Sequence, residues 1–121
     1  MHVSAFLKDV AQGDVFISVM TIGEICKGIA ALPISQKRSV LQHWLEKDVR
    51  SWFGDRILPV TEVIAERWGN LSASARQKGT AVAVVDGVIA ATALHHDLAL
   101  VTRNVKDFAG LGIDLLNPWE P

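Results

Sequence analysis

Apolar residues along this chain fall into two alternating patterns. Short, mainly apolar runs occur at 15–19, 56–60, 99–102 and 113–116, the first of them rich in β-branched residues. Such runs predict buried strands. Between them, apolar positions recur every three or four residues, which predicts amphipathic helices. Val3, Phe6, Leu7 and Val10 carry that spacing and read as the end of a helix whose beginning is absent. Thr21 opens a helix to about Ala31, with Pro33 beyond its end. Ser35 caps a helix reaching about Phe53, with Val40, Leu41, Trp44, Leu45 and Val49 as its apolar stripe. Thr61 caps another, carrying Val63, Ile64, Ala65, Trp68, Leu71 and Ala75, and Lys78 and Gly79 end it. A last long helix starts at Asp86, runs through Val88, Ile89 and Ala91 to Leu94, and closes at His95, His96 and Asp97. A short turn or helix holds Val105 to Phe108.

Strands alternating with helices predict an α/β sandwich in which a mainly parallel sheet is covered by helices on both faces. With 121 residues, half of them apolar, the chain makes one domain, 1–121, with a real core. The formal net charge is −1, so no overall basic field recruits nucleic acid; an enzyme acting on phosphates would need metal ions or a local basic patch. The lone cysteine, Cys26, sits in a helical pattern and is expected to be a small buried side chain. No apolar run approaches the ~20 residues of a membrane span, and the N-terminal residues lack the layout of a signal peptide. A single cysteine cannot form an internal disulfide, and a reducing cytoplasm is consistent with that.

Sites in open α/β sheets lie beyond the carboxyl ends of the strands. Three polar groups fall there. Glu24 follows the first strand; its bland reading is a capping box with Thr21. Asp86 stands where a helix begins; its bland reading is an N-cap favoured by the helix dipole. Thr102, Arg103, Asn104, Val105, Lys106 and Asp107 follow the third strand; their bland reading is an exposed loop with an Asx-type turn at Asn104. Read together, acids at strand–helix junctions of a parallel sheet can enter one cleft. There they repel unless a divalent cation sits between them, and hard oxygen ligands suit Mg²⁺ or Mn²⁺. Such an ion supports phosphodiester cleavage. His95 and His96 are adjacent and read as a helix end rather than a zinc site.

Three stretches carry a resemblance. Residues 17–25 (ISVMTIGEI) with Gly28, 85–93 (VDGVIAATA) and 100–108 (LVTRNVKDF), in this order and spacing, resemble the PIN-domain family, most of all the VapC/FitB-type toxins of toxin–antitoxin pairs. The ending Leu115-Leu116-Asn117-Pro118-Trp119 is similar too. The resemblance implies a PIN-like three-layer sandwich and a Mg²⁺- or Mn²⁺-dependent ribonuclease. It also implies a homodimer held inactive by a cognate antitoxin, with RNA as substrate and no membrane partner. By position, Glu24 and Asp86 become metal ligands, and Asn104 and Asp107 complete the catalytic set. Asn104 stands where many members carry an acid, and Gly87 where alanine is common.

One departure is larger. The family's first strand, which runs into an Asp-Thr-Asn motif, has no counterpart before Val3. The resemblance places that strand at the centre of the sheet, so this sequence reads as an N-terminal truncation, its fold repaired by domain swapping or a partner chain, or its sheet rearranged. The loss of that strand's acid also opens a second reading: a catalytically inactive PIN remnant that dimerises or binds antitoxin.

Overall fold

A computed structural model of the protein describes residues 12–117. The helix expected over 3–10, and Trp119, lie outside them. The described chain divides into two units, residues 12–59 and 60–117, and each is built from its own strand pair and helices.

In the first unit a 3₁₀ turn, Gln12–Asp14, precedes strand β1, Ile17–Ser18. Helix α1, Val19–Ala30, follows without a connecting loop. Ser18 is the hinge between the two. Its backbone is extended (φ −78°, ψ 145°), and its Oγ accepts from the Met20 N–H at 3.0 Å, satisfying one of the orphan donors of the first turn. Helix α1 therefore starts at Val19. The strand expected over 15–19 is confined to two residues, and Thr21 lies inside the helix rather than at its cap. Ile22 and Ile29, two turns apart, are the buried positions of α1. Cys26 is exposed, not buried as its spacing suggested.

Ser35 caps helix α2, Gln36–His43, accepting from the Arg38 N–H at 3.2 Å. The helix expected to run unbroken to Phe53 instead widens into a π-helical stretch, Trp44–Val49, in which the N–H of Arg50 reaches back to the Leu45 carbonyl. It then resumes as α3, Arg50–Phe53. The wider turn brings Leu45 and Val49 inward while Val40, Trp44 and Trp52 stay exposed. Leu45 and Val49 join Ile22 and Ile29 in one core, flanked by Ile17, Leu41, Phe53 and Ile57. Gly54, at φ +55°, turns the chain out of α3. Strand β2, Ile57–Leu58, returns parallel to β1 with Ile17 opposite Ile57 and Ser18 opposite Leu58. Arg56 ties this return: its guanidinium donates to the carbonyls of Val15 and Trp52, and lies over the Trp52 and Phe53 rings.

The second unit is organised by two helices, α4, Glu62–Gln77, and α5, Val84–His95. Thr61 caps α4 as its sequence position predicts, accepting from the Ile64 N–H at 3.3 Å. Gly79 (φ +81°) ends it, with the Gly79 and Thr80 N–H groups returning to the carbonyls of Arg76 and Ala75. Helix α5 is buried along most of its length. Gly87, Val88, Ala90, Ala91, Thr92 and Ala93 are all covered, and their small side chains let α4 approach closely. Ile64 is fully buried on the α4 side. The Thr92 hydroxyl donates to the Val88 carbonyl at 2.8 Å, so the one buried polar group of α5 is satisfied within the helix. Asp97, at φ +55°, ends α5, with the Asp97 and Leu98 N–H groups bonded to the carbonyls of Leu94 and Ala93.

Strands β3, Leu100–Val101, and β4, Leu115–Leu116, pair parallel, Leu100 opposite Leu115 and Val101 opposite Leu116. Between them helix α6, Val105–Phe108, packs on α5 and buries Phe108. The α/β class and the parallel strand direction hold. Among the described residues, however, the strands form two two-stranded ladders of two residues each, not one sheet of longer strands.

Candidate metal centre

Asp86 occupies the third position of α5, one residue before the N–H of Gly87 makes a 2.8 Å bond to the Ala83 carbonyl. The cap itself is Ala83, whose methyl group cannot accept a hydrogen bond. Asp86 is therefore not the N-cap that its sequence position suggested. It is a half-buried carboxylate within the first turn. The positive end of the helix dipole favours its charged form. What fixes its place is the burial of the residues that follow it, Gly87 and Val88.

Glu24 lies in the second turn of α1, on the exposed side away from Ile22 and Ile29. Because α1 starts at Val19, Glu24 is too far along to close a capping box with Thr21. That bland role is removed, and an exposed carboxylate on a rigid helix remains.

The 102–107 segment also differs from its expected turn. The Asn104 N–H donates to the Thr102 Oγ1 at 3.0 Å, so Thr102, not Asn104, shapes the turn. Asn104 is the exposed residue before α6, its side chain making no capping bond. The Asp107 N–H returns to the Asn104 carbonyl at 3.1 Å, and Asp107 is exposed in the first turn of α6. Since α6 packs on α5, Asp86, Asn104 and Asp107 belong to one unit, and Glu24 belongs to the other.

The donors are carboxylate and amide oxygens, hard ligands that fit Mg²⁺ or Mn²⁺ better than a softer ion. His95 and His96 sit at the far end of α5, about 14–15 Å along the helix axis from Asp86. They are exposed, and their rings meet edge to face with centroids 4.8 Å apart, rather than diverging. Among the described residues no three His, Cys, Asp or Glu side chains gather into a ready-made metal cage. A metal held here would draw on one or two carboxylates, with water and substrate oxygen supplying the rest, as is common for Mg²⁺.

Sequence reasoning missed one contact beside this site. The Trp68 ring of α4 lies against Gly87: a Cβ placed on Gly87 would sit 2.9 Å from both Cδ1 and Nε1 of the indole. A glycine in the first turn of an otherwise apolar helix was the available signal, though nothing local named its partner.

The sequence pattern of the PIN domain matches residues 2–112. The chain belongs to the PIN-domain family. It is of the VapC/FitB type. It is 35% identical to the VapC ribonuclease Y4jK of Sinorhizobium fredii over 106 residues, 88% of this chain and 76% of that protein. It is also 35% identical to the toxin FitB of Neisseria gonorrhoeae over 118 residues, 98% of this chain and 85% of that protein. Among solved structures, FitAcB from Neisseria gonorrhoeae superposes with a TM-score of 0.93 at 34% identity, over 99% of this chain and 86% of that one. A toxin–antitoxin complex from Klebsiella pneumoniae superposes with a TM-score of 0.69 at 26% identity, over 99% of this chain and 86% of that one. Among the described residues no helix of this PIN domain is long and apolar enough to cross a membrane.

Proposed function

We propose that this chain, as a single PIN-like domain, is the ribonuclease toxin of a toxin–antitoxin pair and hydrolyses RNA phosphodiester bonds with Mg²⁺ or Mn²⁺. The observation that carries this reading is Asp86: a half-buried carboxylate in the first turn of a buried helix, in a chain of VapC/FitB type. Asp86 and Glu24 hold the ion. Asn104 and Asp107 orient the water of its shell, and Thr102 fixes the turn that carries Asn104. When bound, the divalent ion supplies a hydroxide at neutral pH and offsets charge on the scissile phosphate. The chain's net charge of −1 leaves that task to the ion, because no general basic field draws the phosphates in. The proposed partners are the cognate antitoxin, the RNA substrate and a second copy of the chain, domain-swapped or side by side, in the cytoplasm.

A second reading is favoured by Asn104 standing where an acid is common: an inactive PIN remnant that binds antitoxin. Titration of Mg²⁺ or Mn²⁺ against labelled RNA separates the two. The nuclease reading expects cleavage that rises with metal and is abolished in Asp86→Asn at unchanged thermal stability. RNA left intact at every metal concentration, with antitoxin binding retained, supports the remnant and overturns the nuclease.

A further inference from the structure

Trp68 and Gly87 form an interlock that no bland packing rule requires. Gly87 is buried, and a methyl group there would meet Cδ1 and Nε1 of Trp68 at 2.9 Å and Oγ of Ser72 at 3.5 Å. Both ring atoms belong to the five-membered edge of the indole, not to the free end of a flexible chain. The Trp68 Nε1 is buried without a hydrogen-bond partner among the described residues. An N–H buried without an acceptor is unfavourable, so no polar partner anchors the ring: shape alone holds it. The residue it presses on is the one whose N–H bonds to the Ala83 carbonyl and closes the first turn of α5. Asp86 lies inside that turn.

We propose that Trp68 is a positioning residue for Asp86: its indole edge fills the place of the missing Gly87 side chain and thereby sets the register of the first turn of α5. This rests on the reading of Asp86 as a metal ligand. The wedge explains why a poor helix former stands in the first turn of a buried helix, where alanine would form the helix better. With Trp68 present, the alanine methyl has no room, and either the ring or the helix start must move. A displacement of a fraction of an ångström at Gly87 carries Asp86 with it.

The test is a double-mutant cycle of Trp68→Ala and Gly87→Ala, read in three ways: amide hydrogen exchange of residues 84–88 without metal, Mn²⁺ affinity by titration, and kcat against KM on RNA. Gly87→Ala in the Trp68 background is expected to speed exchange in the first turn, weaken Mn²⁺ binding, and lower kcat by roughly tenfold to a hundredfold at unchanged KM. In the Trp68→Ala background the same substitution changes sign, because the methyl enters the vacated space and alanine favours the helix; exchange slows and Mn²⁺ affinity recovers. An effect of Gly87→Ala that is the same in both backgrounds overturns the interlock. A sign reversal in exchange or thermal stability alone, with Mn²⁺ affinity and kcat unmoved, makes the contact structural and overturns the positioning role. If Asp86→Asn keeps full Mn²⁺ affinity and activity, the metal-ligand reading fails, whatever the cycle shows in exchange.

Discussion

Ile64 offers the sharpest quantitative test of the helix pair that carries Asp86. Among the described residues it is the one large side chain with no exposure at all, and it stands on α4, which packs on α5. Ile64→Val removes one carbon and leaves a methyl-sized void, with an expected loss of about 1 kcal/mol. Ile64→Ala removes three carbons. At ~0.8 kcal/mol per buried carbon the transfer cost is about 2.4 kcal/mol. Neighbours that relax only partly add a cavity cost, giving about 3–4 kcal/mol in all. Entropies of about 2 cal/mol/K per residue convert each kcal/mol to about 4 °C for a chain of 121 residues. Urea unfolding followed by tryptophan fluorescence gives both numbers, with the m-value unchanged if only the native state is affected. A loss under about 1 kcal/mol for Ile64→Ala, or no difference between alanine and valine, would refute tight packing of α4 on α5. The rigid placement of Asp86 would then lose its basis.

Three further outcomes follow from other residues. Asp97→Gly should stabilise by about 0.5–1 kcal/mol, since Asp97 holds φ +55° at the end of α5 and glycine adopts that region freely; differential scanning calorimetry should show a higher Tm. Thr92→Val should be within about 0.5 kcal/mol of wild type, because the Val88 carbonyl keeps its helical partner, whereas Thr92→Ser should cost about 1 kcal/mol through the missing methyl group. Cys26 should react completely with a thiol reagent in the native protein, and Cys26→Ser should change stability by less than about 0.5 kcal/mol, which equilibrium denaturation would register.

What was legible in the sequence was mostly local chemistry. Ser35 and Thr61 announce their helices because a cap bonds to a backbone N–H only three residues away. Gly79 announces the end of α4 for a similar reason, its positive φ. The alternation of apolar runs and helical stripes was sufficient for the α/β class. Ser18 was misread because Val15 to Val19 look like one strand; only the cap bond to the Met20 N–H shows that the helix has already begun. That shift in turn removed the capping box expected of Glu24, and the cap at Ala83 places Asp86 inside the first turn rather than at the N-cap. Cys26 was misplaced because helical spacing gives a period, not which flank of the helix faces the core. The π-helical turn at Trp44–Val49 rotates one such flank partway along, and no residue type in it signals the change. The Trp68–Gly87 contact joins two helices and has no local sign beyond the glycine itself.

The proposal that Glu24 and Asp86 hold one ion is tested most directly by Mn²⁺ binding to the intact chain and to Glu24→Gln, Asp86→Asn and the double variant. Ligands of a shared ion give a strongly coupled result: each single variant weakens Mn²⁺ binding by an order of magnitude or more, and the double variant is scarcely worse than the weaker single. Two isotherms that weaken independently and multiply in the double variant, or a wild-type affinity that survives both substitutions, would contradict it.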